Sequence, residues 1–176
     1  PIETILPNGL RLIVQPETIT PTISVFGRVK SNPEMQTPPG KEGLAEVLGG
    51  LFSYGTTTLN RLEFEAALDE IGARLSAGTS FSLQVLEDQF DRGVQLLAEN
   101  VLSPALPEEA FKVVQQETVS SVAGQLQSPS YLARRAMRTA LFPPGDPSRR
   151  HPTPETAGSF TLEDAKAYYR AVFRPD

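Results

Sequence analysis

Few side chains in this chain could do chemistry. There is one histidine, His151, set between Arg150 and Pro152, and there is no cysteine. A lone histidine in a proline-rich segment reads first as a solvated residue, with metal ligand and general base as the other readings. No second histidine and no cysteine could complete a transition-metal set from within the chain. A serine triad would have to use His151, and no Gly-x-Ser-x-Gly elbow presents a nucleophile to it. Gly55-Thr56-Thr57-Thr58 and Gly40-Lys41-Glu42 both lack the Gly-Lys-Ser/Thr end that makes a phosphate-binding loop. Thiol nucleophiles, disulfides and Cys-ligated clusters are excluded outright, whereas a Cys-free chain suits reducing and oxidising compartments alike. Among the carboxylates, Glu46 and Glu117 fall on helical segments. Each reads as a solvent-facing residue or as half of an acid–base pair. From the residues alone, this is an α+β domain with no self-contained active site.

The elements that must position these residues come from 176 residues with a net charge of −5. That length suits one substantial domain, able to bury roughly 70% of its unfolded surface. With 39% hydrophobic and 21% charged residues, the chain is too apolar for a disordered tail. The acidic balance argues against nucleic acid as a partner, and Arg134-Arg135 and Arg149-Arg150 read as solvated faces. No apolar run approaches the roughly 20 residues of a membrane helix, so neither a membrane partner nor a leader is expected in the sequence as it stands.

Ile2–Leu6 and Leu10–Val14 read as a hairpin turned at Pro7-Asn8-Gly9. Residues 22–30 alternate as a third strand, with Ile23, Val25, Gly27 and Val29 on one face. Residues 31–40 read as a loop. Leu44, Val47, Leu48 and Leu51 then form a helical face running through Gly49-Gly50, and extended geometry at those glycines would contradict it. Asn60 with Glu63 marks the capped start of a second helix and Gly72 its end. Residues 74–86 alternate throughout and read as one strand. Helices follow from Asp88, from Pro107, from Ser128-Pro129 to about Leu141, and from Thr161 with Asp164. A long proline-rich loop over 143–158 precedes the last of these. Pro175-Asp176 reads as a turn. Hairpins followed by helices predict an α+β fold, a mostly antiparallel sheet with helices packed on one face.

Several stretches, taken in order, resemble the pitrilysin/insulinase-type zinc metallopeptidases of family M16, which include the mitochondrial processing peptidases. They are Leu6-Pro7-Asn8-Gly9-Leu10-Arg11, Gly40-Lys41-Glu42-Gly43-Leu44-Ala45, Gly55-Thr56, Leu75-Ser76-Ala77-Gly78-Thr79-Ser80, Pro107-Glu108-Glu109-Ala110-Phe111 and Tyr168-Tyr169-Arg170-Ala171-Val172-Phe173. In active members an inverted His-x-x-Glu-His motif follows the Gly-Leu-Ala lead, its histidines binding zinc and its glutamate activating water. By that resemblance Glu46 stands at the first histidine, Gly49 at the glutamate and Gly50 at the second histidine, while Glu117 matches the distant zinc-binding glutamate. Three of the four positions therefore lack the required chemistry, and no catalytic or metal-ligating residue is expected here.

The resemblance implies a non-catalytic half-domain that contributes to a substrate chamber and to peptide binding. Its implied partners are a catalytic M16 half, on the same chain or another, and an extended peptide. Zinc is expected in that catalytic half and no cofactor in this one. The rival readings are a stand-alone structural or protein-interaction domain and a metal-dependent hydrolase using Glu46 and Glu117 with ligands from a partner. Residues 1–176 are expected to form one domain that continues past Arg174-Pro175-Asp176 into a further strand. Exported bacterial relatives suggest a periplasmic setting.

Overall fold

A computed structural model describes residues 1–174; the turn read at Pro175-Asp176 lies outside the described residues. The first hairpin forms as the turn chemistry dictates. Strands β1 (Ile2–Ile5) and β2 (Arg11–Val14) pair antiparallel from Ile2↔Val14 to Ile5↔Arg11. Its turn is closed by Gly9 N–H donating to Leu6 O at 2.8 Å and by Leu10 N–H donating to Asn8 Oδ1 at 3.2 Å. The hairpin is a two-stranded sheet of its own, and every residue of both strands is exposed.

The main sheet is three-stranded, in the order β3-β5-β4. Strand β3 (Thr22–Arg28) and strand β4 (Arg74–Ser76) flank β5 (Ser80–Leu86), all antiparallel. The single strand expected over 74–86 is thus a hairpin that reverses across Ala77-Gly78-Thr79. Its register explains the misreading: Leu75 lies opposite Leu83, so the odd-numbered residues of both arms share one face. The alternation passes through the reversal unbroken. Leu83 and Val85, each 1% exposed, form the centre of the buried face.

Eight helices complete the described structure: α1 (Pro33–Gln36), α2 (Leu44–Leu51), α3 (Arg61–Glu70), α4 (Phe90–Leu102), α5 (Glu108–Gln125), α6 (Pro129–Leu141), α7 (Pro154–Gly158) and α8 (Leu162–Val172). Two stretches expected as loops contain helix. Residues 31–40 hold α1, opened by Asn32 with Pro33 in the first turn; residues 143–158 hold a 3₁₀ turn at Pro147–Arg149 and then α7, whose capping box is Thr153 with Thr156. Prolines there initiate helices, since a proline at the first helical position removes no needed hydrogen bond. The capping boxes at Asn60/Glu63 and Thr161/Asp164 form as their spacing predicts.

Two cores result. One joins α3 and α4 to the sheet through Phe64, Ile71, Leu83, Val85, Leu96, Leu97 and Val101. The other packs α2 against α5, α7 and α8 around Leu44, Val47, Leu48, Leu51, Phe111, Val114, Tyr168 and Val172. Phe173 packs against both. Two polar links reinforce the junction. Asn100, 1% exposed on α4, donates to Phe52 O at 3.0 Å and to Gly55 O at 3.2 Å, and Tyr169 on α8 donates its hydroxyl to Val101 O at 3.0 Å. This is the α+β arrangement the sequence predicts. Among the described residues, no helix is long and apolar enough to cross a membrane.

Candidate functional site

Helix α2 is the element on which any site must be built. Its apolar residues at i, i+3, i+4 and i+7 bury Leu44, Val47, Leu48 and Leu51, and 3.6-residue periodicity then turns Glu46 and Gly49 outward. The helix runs uninterrupted through Gly49-Gly50. On α5, Phe111, Val114 and Val122 point inward while Glu117 is exposed beside them. Where the two helices pass, a cleft of about 250 Å³ is lined by Glu46, Gly50 and Glu117 together with Val114, Thr118 and Val122. The structure therefore gathers three of the four singled-out positions. Gly49, exposed, is not among the cleft's lining residues.

The two adjacent glycines differ physically. A Cβ at Gly49 would meet nothing within 4 Å, whereas one at Gly50 would stand 2.6 Å from Val114 Cγ1. Gly50 is therefore the residue that lets α2 and α5 approach, and Val114, 5% exposed, occupies the space a side chain would need. Beside the cleft, the lead into α2 is pinned to α8 by Lys41 Nζ at 2.7 Å from Asp164 Oδ2. The hydrogen bond from Lys41 holds the Asp164 carboxyl below its ordinary pKa, partial burial opposing it.

Comparison with known proteins fits this geometry. The family model described as insulinase, peptidase family M16, matches residues 34–142. The chain belongs to peptidase family M16. A zinc protease of Bacillus subtilis (strain 168), YmxG, is 21% identical over 177 residues, which is 96% of this chain and 42% of that protein. Among solved structures, a peptidase M16 inactive domain from Pseudomonas fluorescens superposes with a TM-score of 0.81 at 17% identity, covering 95% of this chain and 42% of the other. A Helicobacter pylori protease gives 0.70 at 23% identity over 99% of this chain and 43% of its own. The periplasmic protease PqqL from Escherichia coli gives 0.79 at 15% identity over 97% and 19%. These likenesses show the fold. The chain spans about two fifths of the curated relative it matches.

Zinc is the metal that family M16 implies, and the residues present in this M16 domain do not fit it. The cleft offers two exposed carboxylates and no imidazole, and Val114 fills the β-position of Gly50. Among the described residues, no three His, Cys, Asp or Glu side chains lie together as a metal set. His151 is not among the lining residues of the cleft; it is half-buried, its Nδ1 3.3 Å from Arg149 O.

A second feature of the M16 domain adjoins the cleft. A groove of about 480 Å³ shares Glu46, Gln125 and Pro152 with it and is lined further by Tyr131, Arg134, Arg135, Arg138, Arg149, Arg150 and His151. Both arginine pairs expected as solvated faces line this groove; Arg134 and Arg135 are exposed there, as expected. Arg149 and Arg150 are half-buried, because the proline-rich segment folds back onto α1. Arg150 donates to Thr37 O at 2.8 Å and to Glu34 O, and pairs with Glu42 at 3.7 Å; Arg138 pairs with Glu34. Sequence reasoning missed the groove, although Tyr131, Arg134, Arg135 and Arg138 stand at i, i+3, i+4 and i+7 on α6, the spacing of one helix face.

Proposed function

We propose that this chain is the non-catalytic half-domain of an M16 zinc peptidase, one domain that forms a wall of the chamber in which a peptide is presented to a catalytic half. In this reading Glu46, Gly49, Gly50 and Glu117 occupy the four motif places without their chemistry, and zinc resides in the partner half. The observation that carries it is the cleft itself: Glu46, Gly50 and Glu117 line it together, and Val114 packs where a side chain at position 50 would stand. The length of the relatives, and the neighbour named as an inactive domain, support it. Peptide would be held by strand addition at an open edge, since β3 and β4 each have one unpaired side in the sheet. An exported, periplasmic setting belongs to the same reading, as the Escherichia coli neighbour is a periplasmic protease.

The test is metal analysis of the full-length gene product after exhaustive dialysis, beside its Glu46→Gln/Glu117→Gln variant. Zinc held by the partner half is expected to stay at the same stoichiometry in both. Loss of zinc from the double variant, with the fold intact by circular dichroism, would make these two carboxylates metal ligands and overturn the assignment.

A further inference from the structure

The groove beside the cleft has a charge at odds with the chain that carries it. The protein is acidic overall, with 16 basic against 21 acidic residues, yet five arginines line this one groove against a single carboxylate, Glu46. Two of the five are committed to internal partners, Arg138 to Glu34 and Arg150 to Glu34, Thr37 and Glu42. The guanidiniums of Arg134, Arg135 and Arg149 have no hydrogen-bond or ion-pair partner among the described residues, and Arg149 is half-buried. Guanidiniums gathered on one groove without a counter-charge are an open set of donors, because the five donors of each are shaped for a bidentate carboxylate or phosphate.

We propose that this groove binds an acidic peptide segment, its carboxylates paired with Arg134, Arg135 and Arg149. The inference rests on the reading of this domain as part of a peptide chamber and names the class of peptide. At about 480 Å³ the groove is large for one small anion and suits several side chains. Tyr131 and Pro152 supply apolar surface, and Ser128 and Gln125 supply groups that can pair with a peptide backbone. The groove opens into the Glu46/Glu117 cleft through shared residues. Glu46 at the junction repels a carboxylate, so the acidic segment is confined to the arginine side while the chain on either side of it can continue past.

The probe is a fluorescent octa-glutamate peptide, titrated by anisotropy into the full-length protein beside a neutral Ser/Ala peptide of equal length. The acidic peptide is expected to bind at least tenfold more tightly, with affinity falling as salt rises. Arg134→Glu/Arg135→Glu, both exposed positions on α6, should lose at least tenfold of that affinity. Arg92→Glu/Lys112→Glu changes net charge equally at exposed positions on α4 and α5, outside the groove, the cleft and the sheet edges, and should retain it. Equal loss in both double variants would make the effect one of overall charge and overturn the proposal. So would equal affinity for the two peptides. Displacement by inorganic phosphate at the peptide's own concentration would make the groove a general oxyanion site and overturn it as well. This assay is independent of zinc content, so its failure would leave the zinc test standing, and the reverse holds too.

Discussion

The cleft and the groove lie side by side and share Glu46, Gln125 and Pro152, but they are built on opposite terms. The cleft is floored by α2 and α5, whose facing residues are buried and close-packed, and its chemistry is sparse. The groove is walled by α6, which has no buried residue, and its chemistry is concentrated. The difference lies in what the packing of the helices asks of each side chain. At the cleft Gly50 is a packing position, so the approach of α2 and α5 depends on the absence of a side chain there. At the groove Arg134 and Arg135 are exposed on a helix with no buried residue, so the core does not depend on them.

The strongest attempt to break this contrast is to restore the cleft's chemistry. Glu46→His/Gly49→Glu/Gly50→His places two imidazoles on α2 near Glu117. The new side chain at 50 collides with Val114, and overpacking of this kind costs about 1–3 kcal/mol. The triple variant is therefore expected to gain little zinc affinity until Val114→Ala is added. The relieved variant should then bind zinc at least tenfold more tightly by calorimetry, a gain that Glu117→Ala removes. Metal binding should return before peptide hydrolysis, since turnover also needs an ordered second shell and a positioned substrate. A folded, relieved variant with no zinc affinity would show that these four positions are not the motif positions.

A smaller effect sharpens the contrast within two residues. Gly49→Ala removes a flexible helix-interior glycine in open space and should stabilise by up to about 1 kcal/mol. Gly50→Ala gains the same propensity but drives a methyl into Val114, and should destabilise by about 1–2 kcal/mol net. Denaturant midpoints of the two variants should move in opposite directions. Movement in the same direction would remove Gly50 from its role as the point of closest approach.

The smallest expected effect concerns acid. Asp164 has its pKa lowered in the folded protein chiefly by the hydrogen bond from Lys41. A depressed carboxyl contributes stability that is present above its unfolded pKa and is lost as pH falls through the lower folded value. The cleft side should therefore weaken as pH drops below the ordinary value of 3.8. Asp164→Asn keeps an oxygen to cap α8 and removes the charge. It should cost no more than about 1 kcal/mol at neutral pH, and the cost should vanish in acid. Thermal unfolding of both proteins across that range checks it; a difference that persists undiminished in acid would assign the effect to capping alone.

How much could be read in advance varies from place to place. The capping boxes at Asn60/Glu63 and Thr161/Asp164, and the buried face of α2, are local: the residues that satisfy each other lie within one or two helical turns, so spacing specifies them. The hairpin over 74–86 was hidden because Leu75 and Leu83 fall opposite one another, and a parity-preserving reversal leaves no mark on a two-residue period. The family resemblance marked out Glu46, Gly50 and Glu117, but nothing in their spacing says that Val114 stands against Gly50.

The sequence by itself thus determined the helices with their own caps, the alternating strands, the lack of a histidine–cysteine metal set and the M16 resemblance, because each depends on composition or on neighbours along the chain. Only the tertiary structure decided that the first hairpin lies outside the main sheet, that Gly49 is open while Gly50 is closed, and that Arg134, Arg135 and Arg149 line one groove. Those outcomes turn on how helices cross and how a proline-rich segment folds back. Both are set by packing between residues distant in the chain, and no local period records it.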